Sequence, residues 1–199
     1  MTMESPYHQL LGSIKAITEA LDARDSHTRC HCDRVVDLAT ELGKACEIAV
    51  EDLNALRLAA RFHDVGKIGI PDAVLLKNGR LSADEWVLMR EHPAKGERIF
   101  VATGLPNARA VGRVIRHHHE AFNGSGYPDK LTRGDIPFPS RVLLIADAYD
   151  AMTSTRPYHA ARSHDQVMGI LRTESGQKLD PVIFSRFEGM IEHSALRAN

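Results

Sequence analysis

Apolar residues along this chain recur every three or four positions, the period of a helix buried on one face. Leu10, Ile14, Ile17 and Leu21 predict a helix over residues 10–23. Val35, Leu38, Ala39 and Leu42 predict a second over 26–44. Leu53, Leu56, Ala59 and Ala60 predict a third over 51–64, with Gly66 placed to end it as a C-cap. Ser82 and Glu85 form a capping-box pattern that opens a helix carrying Trp86 and Met89. Pro93 then interrupts, which leaves His92 at a junction. Residues 108–119 read as a helix, 120–139 as a loop rich in Gly, Pro and Asn, and 141–152 as a buried helix. Ser163 and the Asp180-Pro181 pair start two final helices. Strand-period alternation nowhere lasts more than a few residues, so the expected fold class is all-α, a helical bundle with one long loop.

Composition adds little to that picture, but it excludes several classes. With 199 residues, 43% hydrophobic and 26% charged, the chain is long enough for one generous domain with a real core. A net charge of −1 and a pI near 6.8 give no reason to expect a nucleic-acid polymer or a membrane surface as partner. The sequence holds no apolar run of the ~18 residues a membrane span needs, and its start lacks the pattern of a secretion signal. Three cysteines, Cys30, Cys32 and Cys46, show no CxxC spacing and fit a reducing cytoplasm. Cys30 and Cys32 flank His31 but point away from its helix face, so they are read as packing residues.

The chemistry lies in the histidines. Of the 11 in the chain, His27, His31, His63, His92 and the run His117-His118-His119 fall around one pattern. His27 and His31 share a helix face at i, i+4. His63 is followed at once by Asp64, with Lys67 three residues on. His8, His159, His164 and His193 are read as ordinary histidines. Gathered inside a bundle, His31, His63, Asp64, His92, His118, His119 and Asp147 come from five segments and are too many for one tetrahedral zinc. So many N/O donors without a thiolate imply two divalent ions, and iron or manganese suits them better than calcium. Two ions roughly 3.5–4 Å apart, bridged by Asp64 and a hydroxide, form a phosphoester-cleaving site with the hydroxide as nucleophile. Asp64 and Lys67 are thus the catalytic candidates, Lys67 collecting the negative charge of the phosphate.

At this point the residues resemble a known family. His63-Asp64-Val65-Gly66-Lys67-Ile68-Gly69-Ile70-Pro71 is similar to the extended HD signature of HD-GYP domains. The run from His117 to Pro128 resembles the segment that names them, with Gly126-Tyr127-Pro128 as the tripeptide, and the stretch from Asp147 through Arg156 to Tyr158 resembles their third block. The match begins near Leu21, which divides the chain into a 1–20 N-terminal extension and a 21–199 domain of the HD-type helical bundle. The resemblance implies metal-dependent hydrolysis of cyclic di-GMP to linear pGpG, and in some members on to GMP. Matched by position, His63, Asp64, His92, His118, His119 and Asp147 are metal ligands, and His31 accompanies a third metal in trinuclear members. Lys67 and Arg156 are the expected contacts to substrate phosphate, and Tyr127 is a candidate substrate contact that either stacks on guanine or docks a partner. A diguanylate cyclase or receiver protein docking on the GYP loop is the implied protein partner. Only about twenty residues precede the match, so regulatory input is expected in trans or not at all.

Three departures from the family pattern matter. His27 stands where trinuclear members carry Glu, and neutral imidazole adds no charge to offset a third cation. Two tightly held ions are therefore expected, with His27 and His31 at most a weak third site. Asn123 replaces the usual Asp before the GYP tripeptide and caps similarly. His159 replaces a basic residue, which leaves Arg156 to meet the phosphate. Of the supporting residues, Glu120 either orients a ligating histidine or caps a helix end. Asp150 reads as a structural hydrogen-bonder one turn after Asp147. Asn123 and His159 also favour a different reading, a catalytically weak module that binds a cyclic dinucleotide or docks a cyclase. A second alternative is an HD phosphohydrolase of another nucleotide.

Overall fold

The computed structural model of the chain describes Glu19 and residues 28–154 and 161–198. The expected helix over 10–23 and residues His27, Arg156 and His159 lie outside the described residues. Within them the secondary structure is helical, apart from a single isolated bridge between Ser175 and Leu179.

The first helix, α1 (Thr28–Ala45), buries Val35, Leu38, Ala39 and Leu42 as its period requires. It packs on α2 (Val50–Phe62), on the long helix α7 (Phe138–Thr153) and on the last helix α9 (Pro181–Ile191). Two short helices, α3 (Asp72–Leu75) and α4 (Ala83–Met89), pack on each other at the periphery. Two more, α5 (His92–Val101) and α6 (Ala108–His117), form a closely packed pair, and α8 (His164–Glu174) lies against α7. Val142, Leu143, Ile145, Ala146 and Tyr149 are all buried, so α7 is enclosed on most of its circumference and forms the axis of the core.

Local signals hold where they are short-range. Ser82 and Glu85 close a reciprocal capping box at α4. Ser163 does the same with Gln166 at α8, and Asp180 accepts the Val182 and Ile183 N–H groups at α9. Three expectations need correction. The helix over 51–64 stops at Phe62, and Gly66 does not cap it but lies buried within a 3-10 turn, Val65–Gly69. A side chain there would put its Cβ 1.9 Å from the His92 carbonyl oxygen and 2.5 Å from the Gly96 nitrogen, so only glycine lets this turn lie on α5. The helix over 108–119 stops at His117, and the one over 141–152 begins at Phe138, its first turn holding Pro139. Apart from these, α4 buries none of its residues, and Trp86 is 46% exposed.

Candidate metal centre

Five segments converge on one end of the core. The first turns of α1 bring His31, the end of α2 and the 3-10 turn bring His63, Asp64 and Lys67, and the start of α5 brings His92. The end of α6 brings His118 and His119, and α7 brings Asp147 and Asp150. Neighbouring imidazole rings stand 4.0 to 5.4 Å apart, centroid to centroid, from His31 through His63, His118 and His119 to His92.

Helix ends set the orientation of three of these rings. The last carbonyls of a helix have no intrahelical partner, and a carbonyl can only accept. His63 Nδ1 lies 2.8 Å from the Ala60 oxygen, His92 Nδ1 2.9 Å from Met89, and His118 Nδ1 2.6 Å from Ile115. Each Nδ1 must therefore carry the proton and donate it, which leaves each Nε2 with a free lone pair. All three Nε2 atoms are buried and, among the described residues, have no hydrogen-bond partner. A buried, unpartnered acceptor is costly, and three in one cluster fit a cation that accepts their lone pairs. His92, His118 and His119 bring their donor atoms within 4.8 Å of one another, and so do His31, His63 and Asp147. Asp64 lies between these two groups, Oδ2 3.4 Å from His63 Nε2 and Oδ1 3.4 Å from His92 Nε2.

The electrostatics favour the charge states a cation needs. Burial pushes His92 down to about 3 and His119 down to about 4, against the upward pull of the nearby carboxylates. Burial holds His118 down as well. Burial alone would raise Asp64 and Asp147. Lys67 and His63 overcome it at Asp64, and the His31 hydrogen bond and His63 overcome it at Asp147, so both stay ionised far below the usual carboxylate range. Lys67 Nζ sits 2.7 Å from Asp64 Oδ2.

His31 is held differently. Its Nδ1 donates to Asp150 Oδ2 at 2.6 Å and its Nε2 lies 3.2 Å from Asp147 Oδ1. Burial works downward here, but the two carboxylates raise its pKa to about 9. Asp150 stands behind His31, outside both donor groups, and is itself gripped by Arg34 at 2.5 and 3.0 Å. Arg34 was not among the residues expected at the site, although it lies one turn from His31 on the same helix face.

The Gly-rich loop closes over this cluster. Asn123 Oδ1 accepts from Ser125 N and Oγ, as a turn cap does. Tyr127 lays its ring against His119, 4.9 Å between centroids. Glu120 serves neither expected role: its two oxygens accept the Asp129 and Leu131 N–H groups at 2.7 and 3.1 Å, tying the loop down. Asp129 in turn takes both Arg116 and His117, which turns His117 away from the cluster. His164 is buried between Tyr149 and Glu192, and Cys32 is buried as expected.

The HD domain family profile matches residues 15–183, and the chain belongs to that family. It is 33% identical over 169 residues to the cyclic di-GMP phosphodiesterase response regulator RpfG of Xanthomonas campestris, covering 85% of this chain and 45% of that protein. It is 32% identical over 182 residues to a cyclic di-GMP phosphodiesterase of Thermotoga maritima, covering 91% and 50%. A 3'3'-cGAMP-specific phosphodiesterase of Vibrio cholerae is 32% identical over 177 residues, 89% of this chain and 33% of that one. The chain thus spans half or less of the length of these relatives. An HD-GYP-type protein from Bdellovibrio bacteriovorus shares the fold with a TM-score of 0.67 at 19% identity, covering 83% of this chain and 52% of that one. No helix among the described residues is long and apolar enough to cross a membrane.

Proposed function

We propose that this chain is a metal-dependent phosphodiesterase that hydrolyses cyclic di-GMP to linear pGpG. The carrying observation is the arrangement of the donors: two three-residue groups with one Asp64 oxygen directed at each. Such a site would hold two divalent ions, iron or manganese by the mixture of imidazole and carboxylate, and would thereby gain Lewis-acid polarisation of a phosphoryl oxygen and a water of lowered pKa. The chain's own residues do the rest. His63, His92 and His118 would hold the ions through Nε2, with their Nδ1 protons donated to helix carbonyls. Asp64 bridges the two groups and Asp147 completes one of them. Lys67 draws on its contact with Asp64 to stay close to the reacting phosphate, where its charge offsets the negative charge gained in the transition state. Arg156 supplies a second cation to the substrate, and Tyr127 walls the site on the loop side. His27 with His31 forms at most a weak third site. Residues 21–199 act as one catalytic domain in the cytoplasm, and the Gly126-Tyr127-Pro128 loop is the surface for a cyclase or receiver partner.

The names of the relatives support the substrate class, and the cGAMP-specific ones keep a mixed cyclic dinucleotide as the second reading. The test is product analysis with iron- or manganese-loaded protein together with metal-to-protein stoichiometry. Conversion of cyclic di-GMP to the linear product with about two ions bound is expected, and loss of turnover in both His63→Ala and Asp64→Ala. Retained turnover in those variants refutes the metal mechanism. Three ions at full occupancy refute the weak third site.

A further inference from the structure

Beside Tyr127, whose ring also meets His119, lies a groove of about 510 Å³, within the size range of small-molecule sites. Val87, Ala94 and Pro128 form its apolar walls, and Arg90, Lys95 and Arg98 its cationic rim. Lys95 is occupied, donating to the Gly69 carbonyl and pairing with Glu91, both at 2.8 Å. The two arginines are not. Among the described residues no carboxylate or carbonyl takes the guanidinium N–H groups of Arg90 or Arg98. Arg90 instead lies over two rings, 5.9 Å from the Trp86 centroid and 5.5 Å from that of Tyr127. Cation–π contact of this kind restrains the guanidinium while leaving its N–H groups free to donate.

We infer that this groove seats a guanine nucleoside of the substrate, with Arg90 reading the O6 and N7 edge of the base. The inference rests on the phosphodiesterase reading and adds its base preference. Guanine offers two acceptors side by side, which a planar arginine fork meets with two hydrogen bonds. Adenine places an amino donor where guanine has O6, so one of those bonds is lost and the two donors collide. The apolar walls take the faces of the base, and Arg98, the second arginine of the rim, faces the sugar-phosphate side. Position favours the same occupant: Glu91, Ala94, Lys95 and Arg98 belong to the segment that carries His92, and Tyr127, which lines the groove, also contacts His119 of the cluster.

Steady-state kinetics on cyclic di-GMP and cyclic di-AMP with the metal-loaded full chain test this. The wild-type chain is expected to prefer cyclic di-GMP. Arg90→Ala should shrink that preference, read as the ratio of the two kcat/KM values, by about tenfold or more. Arg90→Lys, which keeps the charge and loses the fork, should shrink it as far. Arg98→Ala should lower both kcat/KM values together. A ratio unchanged in Arg90→Ala while cyclic di-GMP is still cleaved overturns the groove assignment and leaves the phosphodiesterase reading standing. A ratio restored by Arg90→Lys shows a charge effect and overturns the fork. If the wild-type chain cleaves neither dinucleotide, the underlying reading fails and takes this one with it.

Discussion

Replacing Gly126 by alanine tests how the loop is held over the metal centre. An added Cβ would lie 2.2 Å from the Ala121 nitrogen, 2.5 Å from the His119 oxygen and 2.6 Å from the Glu120 Cα. Ordinary contact begins at 3.4 Å, so the nearest approach falls 1.2 Å short, and every obstacle is backbone rather than a side chain that can turn aside. The loop must lift. Lifting breaks the hydrogen bond from Tyr127 N–H to the His119 carbonyl at 3.2 Å and separates the Tyr127 and His119 rings. One such hydrogen bond contributes about 1 kcal/mol net and an aromatic pair about as much again. A total of about 2 kcal/mol corresponds to a loss of roughly thirtyfold in the population of closed loop. KM for the dinucleotide should rise by about tenfold or more, and Tm should fall by several degrees. Gly134, in the same loop, provides the control: nothing lies within 4 Å of its Cβ position, so Gly134→Ala should leave both readings within error. Gly126→Ala with wild-type KM and Tm, measured by initial rates and calorimetry, refutes the close packing of loop on helix end.

Two further outcomes follow from the histidine environments. In chelator-treated protein, His92, His118 and His119 stay neutral in the folded state far below 6.5, the value they take in the unfolded chain. The unfolded state therefore binds up to three extra protons as pH falls through 6.5, and stability drops by up to about 4 kcal/mol per pH unit on that limb. His31 has the opposite sign: its folded pKa of about 9 lies above 6.5, so its contribution is complete below 6.5 and fades as pH rises to about 9. Urea titrations from pH 5 to 9 should show a maximum near neutrality, and a flat acid limb would contradict the buried neutral rings. Arg34→Ala should loosen Asp150 and through it His31, weakening metal affinity by about tenfold to a hundredfold with the ligands intact. Isothermal titration with manganese checks this, and affinity equal to wild type would show that Arg34 does not position His31.

Much of this protein was decided locally, and that part is legible in the sequence. The caps at Ser82, Ser163 and Asp180 join groups two or three residues apart, so their patterns alone predict them. The helix period of α1 predicts which of its side chains are buried, because one amphipathic face has only one way to meet a core. The set His63, Asp64, His92, His118, His119 and Asp147 is likewise recognisable from residue type and motif. What the chain does with those residues depends on contacts across long separations. Gly66 is required by a carbonyl 26 residues on, at His92, so its role looks like a helix stop until α5 is in place. Glu120 has loop amides nine and eleven residues away as partners, and neither is visible from its position at a helix end. The link from Arg34 to Asp150 spans 116 residues, and the division of the donors into two groups about Asp64 exists only once five segments meet. Hydrogen bonds within a turn are set by the chain itself; the lone pairs of His63, His92 and His118 converge only because tertiary packing brings three separate helix termini to one point.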